Sequence, residues 1–290
     1  MTFVVGVDAG ATTTRCVVAT LDGAVVGRGV AGGANRNSSG GEVSASLCAA
    51  LTEALGTVDR TRVRLGVLGA AGSAGAGRAA FRAAADQAWS HAGLTGEVVT
   101  VTDLEVAFAA GAPDPDGVLL LAGTGALAAR FRDGVLEHRC DGYGWLLGDE
   151  GSAVWIGVRA LRACLAALDG RGEPTALVDA ARHHFMIKAD KREDSAQALL
   201  AAAFAVPPAA LGRFASAVSA AAEGGDPVAA RICASAAERL LHTFDSVQPP
   251  PGAVVVLAGS CVLHRVRRHA RLLGGELTDE RVEDPARVPP

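Results

Sequence analysis

Lysine is nearly missing from this sequence: of the 27 basic residues, only Lys188 and Lys191 are lysines. No Gly-Lys-Ser or Gly-Lys-Thr occurs, which excludes a Walker-type phosphate loop, so any phosphate chemistry must use another cradle. A basic excess is missing too. The 27 basic and 31 acidic residues give a net charge of −4, which favours neither nucleic acid nor an anionic membrane as a partner. No apolar run reaches the ~18 residues of a spanning helix; the nearest approach, Val118 to Ala129, is broken by Gly123 and Gly125. The opening Met1-Thr2-Phe3-Val4-Val5-Gly6 carries no basic stretch, so no secretory signal is expected. The six cysteines (Cys16, Cys48, Cys140, Cys164, Cys233 and Cys261) form no Cys-x-x-Cys pair, which leaves zinc and dithiol readings without support and fits a reducing, cytoplasmic setting. What is present is apolar material, 50% of 290 residues, enough for two medium cores and too much for wholesale disorder.

The chain opens with β-branched runs at Phe3–Asp8, Cys16–Ala19 and Ala24–Val26, joined by a small-residue turn and by Asp22-Gly23, which predicts a three-stranded antiparallel meander. A polar loop from Gly32 to Gly41 follows. Val43, Leu47, Leu51 and Leu55 recur every four residues and predict a helix. Further expectations are strands at Val63–Leu68 and Glu97–Thr102, and helices at Arg78–His91 and Leu104–Ala110. Pro113-Asp114-Pro115-Asp116-Gly117 is the strongest turn cluster and sets the expected domain boundary, residues 1–112 and 113–290. The opening theme then recurs: strand, Gly123-Thr124-Gly125, strand, Asp133-Gly134, strand. The Asp-Gly follows the turn glycine by 12 residues in the first copy and by 10 in the second, which points to an internal duplication. Val154, Val158, Leu161, Leu165 and Leu168 mark an amphipathic helix. Alanine-rich helical stretches are expected over about 174–186, 193–222 and 226–247, then a strand at Ala253–Leu257, a turn at Gly259-Ser260, a helix at Val262–Leu273 and a loose tail from Asp279.

Small-residue turns between strands let a phosphate approach backbone amides, and successive amides form an anion-binding concavity. Such a turn can also be merely tight. Two copies at matching positions, with Asp8 before the first, favour phosphate binding, and a carboxylate there can hold Mg²⁺. Asp103, at a strand-to-helix junction, reads as an N-cap or as a general base for a substrate hydroxyl. Gly148-Asp149-Glu150-Gly151-Ser152 reads as a helix cap or as a polar pocket. The preceding Gly142-Tyr143-Gly144-Trp145 places two aromatics among glycines, in a chain with only one tyrosine and three tryptophans, and suggests an apolar wall for a sugar-sized ligand. Asn35 and Asn37 are turn formers or ligands of sugar hydroxyls.

The residues Gly142 to Gly157, Gly-Tyr-Gly-Trp-Leu-Leu-Gly-Asp-Glu-Gly-Ser-Ala-Val-Trp-Ile-Gly, resemble the signature loop of the BadF/BadG/BcrA/BcrD ATPase-type family, and within it the N-acetylglucosamine kinases. Supporting motifs run in family order: Val7-Asp8-Ala9-Gly10-Ala11-Thr12, Gly32-Gly33-Ala34-Asn35, Thr102-Asp103, Ala122-Gly123-Thr124-Gly125 and Leu257-Ala258-Gly259-Ser260. The resemblance implies an α/β fold of two duplicated actin-like ATPase (ribonuclease H-like) domains around a nucleotide cleft. It implies ATP and Mg²⁺ as cofactors and phosphorylation of the 6-hydroxyl of N-acetylglucosamine. Carried over, Asp103 is the base; Asn35, Asp103, Tyr143, Gly144, Asp149 and Glu150 bind sugar; Gly10, Thr12, Thr13, Gly123, Thr124, Gly125, Gly259 and Ser260 bind ATP; Asp8 places the metal. The expected partners are the sugar and ATP, with a homodimer as the family's common assembly. Departures are Ala9, Ala11 and Thr13 in the first motif, Ala126 where serine is usual, and Gly259-Ser260-Cys261 for the commoner Gly-Gly-Val. Alternatives are a glucosamine or other hexose kinase, the ATPase of an acyl-CoA reductase or dehydratase system with a cysteine-held iron–sulfur cluster, and a non-catalytic sensor of sugar or nucleotide.

Overall fold

A computed structural model describes residues 1–10, 13–34, 43–70, 73, 77–188, 192–259 and the strand at 277–280. The chain divides into two compact units, Met1–Ala109 and Ala110–Pro290.

The first unit contains β1 (Phe3–Ala9), β2 (Thr13–Thr20), β3 (Val25–Gly32), α1 (Val43–Leu55), β4 (Val63–Ala70), α2 (Arg78–His91), β5 (Glu97–Thr102) and the start of α3 (Asp103–Gly111). The boundary between units thus falls inside α3, just before the Pro113 turn cluster. The sheet order is β3-β2-β1-β4-β5. The meander β1-β2-β3 is antiparallel, and β4 and β5 add parallel to β1. Alternation along β1 turns Val5, Val7 and Ala9 to the core, where they meet Leu47, Leu51 and Leu55 of α1 and Phe81, Ala85 and Trp89 of α2. Helix α1 lies directly on β3: a Cβ at Gly29 would collide with the Ala50 carbonyl. At the outer edge of the sheet, the Val30 amide donates to the Glu53 carboxylate of α1 at 2.8 Å.

The second unit contains β6 (Gly117–Ala122), β7 (Ala126–Arg132), β8 (Val135–Asp141), α4 (Ala153–Asp169), α5 (Leu177–His184), α6 (Arg192–Phe204), α7 (Pro208–Leu211), α8 (Ala215–Glu223), α9 (Pro227–Ser246), β9 (Val254–Ala258) and β10 (Leu277–Glu280). Its sheet order, β10-β9-β6-β7-β8, repeats the first sheet strand for strand, with the same antiparallel and parallel pairings. The repeated motif in the sequence is therefore a repeated topology. In β6, the neighbours Leu119 and Leu120 point to opposite faces and are both fully buried, as in a strand covered on two sides. One face packs on Ala237, Leu240 and Phe244 of α9. Helices α4 to α8 form a separate apolar cluster around Ile156, Leu177 and Phe214.

Two expectations need correction. The helical stretch over 193–222 is three helices: Pro207 and Pro208 lack amide hydrogens and clash with a preceding turn, so the chain restarts at α7, and a 3-10 turn at Gly212–Phe214 separates α7 from α8. The tail expected to be loose from Asp279 begins inside β10, which pairs with β9 through Asp279 and Glu280. The expected helix Val262–Leu273 lies outside the described residues. Among the described residues, no helix is long and apolar enough to cross a membrane.

Helix α9 is anchored at both ends. Arg130 donates to the carbonyls of Val247 and Gln248 just past its C-terminus, at 2.9 and 3.1 Å. At the N-terminus, Asp226 accepts from the amides of Ala229 (2.8 Å) and Ala176 (2.7 Å) and from the Thr175 hydroxyl. Burial pushes the Asp226 carboxyl up, but these donors together outweigh it and hold the group below its ordinary range. A folded-state pKa below the unfolded value gives stability that is present above the unfolded pKa and lost as pH falls through the folded one. Asp226→Ala is expected to cost about 1–2 kcal/mol in urea melts at neutral pH. The gap to wild type should narrow once the pH falls below about 4.

Candidate functional site

Strands β1, β4 and β5 run parallel, so their C-terminal ends lie side by side: Ala9 beside Ala70, and Ala70 beside Thr102. Two strand spacings put the end of β1 about 10 Å from the end of β5. Asp8 is half-buried near the first of these ends. Burial pushes its carboxyl up, against the pull of the Arg15 guanidinium 3.8 Å away. Asp8 pairs with Gly69 across the ladder, and a Cβ at Gly69 would strike Val106, so Asp8 lies on the face that α3 covers, opposite α1 and α2. The turn after β1 closes through the Gly10 amide, which donates to the Thr13 carbonyl at 3.0 Å. The Gly10 carbonyl accepts from Ala34, the residue before Asn35, also at 3.0 Å. The Ser73 hydroxyl joins the ends of β4 and β5 through the carbonyls of Ala70 (2.7 Å) and Val101 (3.1 Å).

Asp103 begins α3, but the cap belongs to its neighbours. The Thr102 hydroxyl accepts from the Glu105 amide at 3.2 Å, and the Glu105 carboxylate accepts from the Thr102 amide at 2.7 Å. This reciprocal capping box fills the N-cap role that Asp103 would otherwise hold.

In the second unit, the Gly123 amide closes its turn on the Gly125 carbonyl at 2.9 Å, which leaves Thr124 and Gly125 as the remaining turn amides. The Gly123 carbonyl accepts from Ala153, so the turn is fixed to the start of α4. Gly259, at φ +97°, packs against the same turn; a Cβ there would lie 2.5 Å from the Ala122 carbonyl oxygen. The Asp149 carboxylate also lies against the turn, at 2.9 Å from where a Gly125 Cβ would be. Burial raises the Asp149 carboxyl and the negative charge of Asp141 adds to this, while the amides of Ala126 and Gly144 oppose them. The helix cap is again made elsewhere: the Ser152 hydroxyl accepts from Trp155 at 3.2 Å, three residues after Asp149.

The structure therefore brings Gly123, Thr124, Gly125, Asp149 and Gly259 together in one unit, and Asp8, Gly10, Thr13 and Asp103 along one sheet end in the other. Glu150 is drawn to α9, where Arg239 pairs with it at 3.3 Å. Tyr143 and Trp145 are exposed, with the Arg139 guanidinium 5.8 Å from the Tyr143 ring centre. Thr12, Asn35, Asn37 and Ser260 lie outside the described residues. Sequence reading passed over Asp141, which organises the loop before Asp149. Its one signal is an aspartate directly before a glycine-rich turn, a position where carboxylates accept local amides.

The model of the BadF/BadG/BcrA/BcrD ATPase family matches residues 5–271. A curated relative from Clostridium acetobutylicum, an N-acetylmuramic acid/N-acetylglucosamine kinase, is 33% identical over 179 residues. That match covers 61% of this chain and spans 58% of the relative's length. Solved structures of candidate N-acetylglucosamine kinases from Chromobacterium violaceum and Porphyromonas gingivalis are 23% and 21% identical, each with a TM-score of 0.71. Both alignments cover 96% of this chain, with 95% and 94% of the respective relatives. A Streptomyces griseus ROK-family glucokinase, solved with glucose and AMPPNP, is 18% identical over 96% of this chain and 94% of its own, with a TM-score of 0.53. These likenesses fix the fold as two duplicated actin-like ATPase domains, and with its motifs in family order the chain belongs to the BadF/BadG/BcrA/BcrD ATPase family.

Proposed function

We propose that the protein is an ATP-dependent amino-sugar kinase that phosphorylates the 6-hydroxyl of N-acetylglucosamine in the cytoplasm. The observation that carries this reading is the gathering of Gly123–Gly125, Gly259 and Asp149 around one turn, where glycine backbone meets a half-buried carboxylate. The Clostridium relative's activity supports the substrate class.

In this reading Asp103 accepts the proton of the sugar hydroxyl as its oxygen attacks the terminal phosphorus of ATP, and the bond from that phosphorus to the bridging oxygen breaks so that ADP leaves with the oxygen. Asn35, Asp149, Tyr143 and Gly144 hold the sugar. Glu150 supports them through its ion pair with Arg239. Thr12, Thr13 and the amides of Thr124 and Gly125 take phosphate oxygens, while Gly10 and Gly123 shape the turns. Gly259 and Ser260 meet the adenosine. Mg²⁺ usually takes one or two protein carboxylates and several phosphate or water oxygens, a demand that Asp8 fits. The bound ion would neutralise charge on the transferred group, so the protein's own work is positioning and charge stabilisation.

The iron–sulfur alternative fits poorly. Cys164 is fully buried in the α4–α8 cluster, its thiol pushed up to about 12 by burial, whereas Cys140 lies on β8 beside His138. Cluster ligands are thiolates.

The test is ADP release with Mg²⁺-ATP and N-acetylglucosamine, N-acetylmuramic acid, glucosamine, N-acetylmannosamine, glucose or no sugar. Phosphorus–proton NMR of the product should couple phosphorus to the C6 protons. Phosphate on another oxygen, or equal turnover without sugar, would overturn the proposal.

A further inference from the structure

Three backbone amides converge on one carboxylate at the end of β8. Asp141 Oδ1 accepts from the amides of Gly142 and Asp149, both at 2.7 Å, and Oδ2 accepts from Glu150 at 2.8 Å. Asp141 itself stands at φ +65° and Asp149 at φ +54°, left-handed conformations that residues with a Cβ rarely adopt. Such backbone persists only where its surroundings over-determine it. Here the Asp141 carboxylate supplies that determination, because amide bonds to an ionised acceptor are roughly twice as strong as neutral ones. The loop of residues 142–148 is thereby closed back onto β8. It turns once more on the Gly144 carbonyl, which accepts from Gly148 at 2.8 Å. A Cβ at Gly148 would collide with Asp141 Oδ1, so the loop passes against the carboxylate itself.

We propose that Asp141 is a positioning residue for sugar recognition: it fixes the backbone of Asp149 and Glu150 so that the Asp149 carboxylate is held beside the Gly123–Gly125 turn. The proposal rests on the kinase reading. Asp141 need not touch sugar, and its three-bond clamp is one of geometry rather than of chemistry: three donors, one acceptor group, two residues held in strained backbone.

The discriminating variant is Asp141→Gly. Glycine adopts φ near +65° without strain, so the substitution removes the anchor while sparing the fold. The expected result is a KM for the sugar raised about ten- to a hundredfold, with the KM for ATP unchanged, because misplacing a binding group by ~1 Å costs on this scale. Asp141→Asn, which keeps one acceptor oxygen, should fall between. Equal rises in both KM values, or none in that for the sugar, would overturn the proposal. Hydrogen exchange at the amides of Asp149 and Glu150 separates this outcome from failure of the kinase reading. If wild type turns over no sugar at all, the functional reading falls, and faster exchange at those two amides in Asp141→Gly still sustains the anchoring role. Unchanged exchange would refute it.

Discussion

Asp103→Asn is expected to lower kcat by about a hundred- to ten-thousandfold, the usual contribution of a positioned general base. Calorimetric binding of N-acetylglucosamine should change little, since the amide keeps the size and most of the hydrogen-bonding capacity of the carboxylate. The alternative is that Asp103 only serves the start of α3. That alternative makes the opposite forecast. Asparagine is as good a helix cap as aspartate, so kcat would stay near wild type. The capping box between Thr102 and Glu105 sharpens the contrast. Removing the cap with Thr102→Ala should cost about 1 kcal/mol of stability, whereas Asp103→Asn should spare stability and remove turnover. A variant that keeps full turnover would end the assignment of Asp103 as the base.

The second large effect is expected at Gly259. Its φ of +97° and the 2.5 Å approach of the Ala122 carbonyl leave no room for a methyl group. In Gly259→Ala either the turn at Gly123 or the end of β9 must move, and overpacking of this kind costs about 1–3 kcal/mol. Because Gly123 shares that contact, the displacement is delivered to the phosphate turn. The KM for ATP should rise about tenfold or more, the equivalent of about 1.4 kcal/mol of lost binding, while the KM for the sugar holds. Gly252→Ala is the control: Gly252 has φ +75°, but a Cβ there meets open space. That variant carries the backbone strain without the collision, so it should lose some stability and keep its affinity for ATP. Equal losses of affinity in the two variants would show that strain, and not proximity to the turn, is responsible.

Much of this arrangement is legible in the residues. Periodicity and turn chemistry place α2 and β5 at the residues where they occur, and the repeated strand, glycine turn, strand and Asp-Gly predicts the second copy of the sheet. Local patterns of this kind are legible because each depends on neighbours a few positions apart. The capping box was legible too, as Thr102-Asp103-Leu104-Glu105 has the threonine-to-glutamate spacing, and it would have moved the cap from Asp103 to Thr102. Other features rest on contacts too far apart in sequence for a local pattern to specify. The Asp141 clamp spans eight and nine residues through a loop, and the pair of Glu150 with Arg239 spans 89. Which amides each glycine turn uses internally depends on hydrogen-bond geometry that residue types do not encode.

The contact between Glu53 and the Val30 amide bears on the behaviour of the protein in concentrated solution. Strand β3 is the outer strand of its sheet, and Val25, Val26 and Val30 on it are exposed. An open, valine-rich edge is a template on which another chain can add as a further strand. Glu53 takes up one of the donors that an incoming strand would need, and places a carboxylate beside the valines. One helix residue therefore works as a gatekeeper against edge-to-edge growth, and replacing its carboxylate with a methyl group would return the Val30 amide to the open edge.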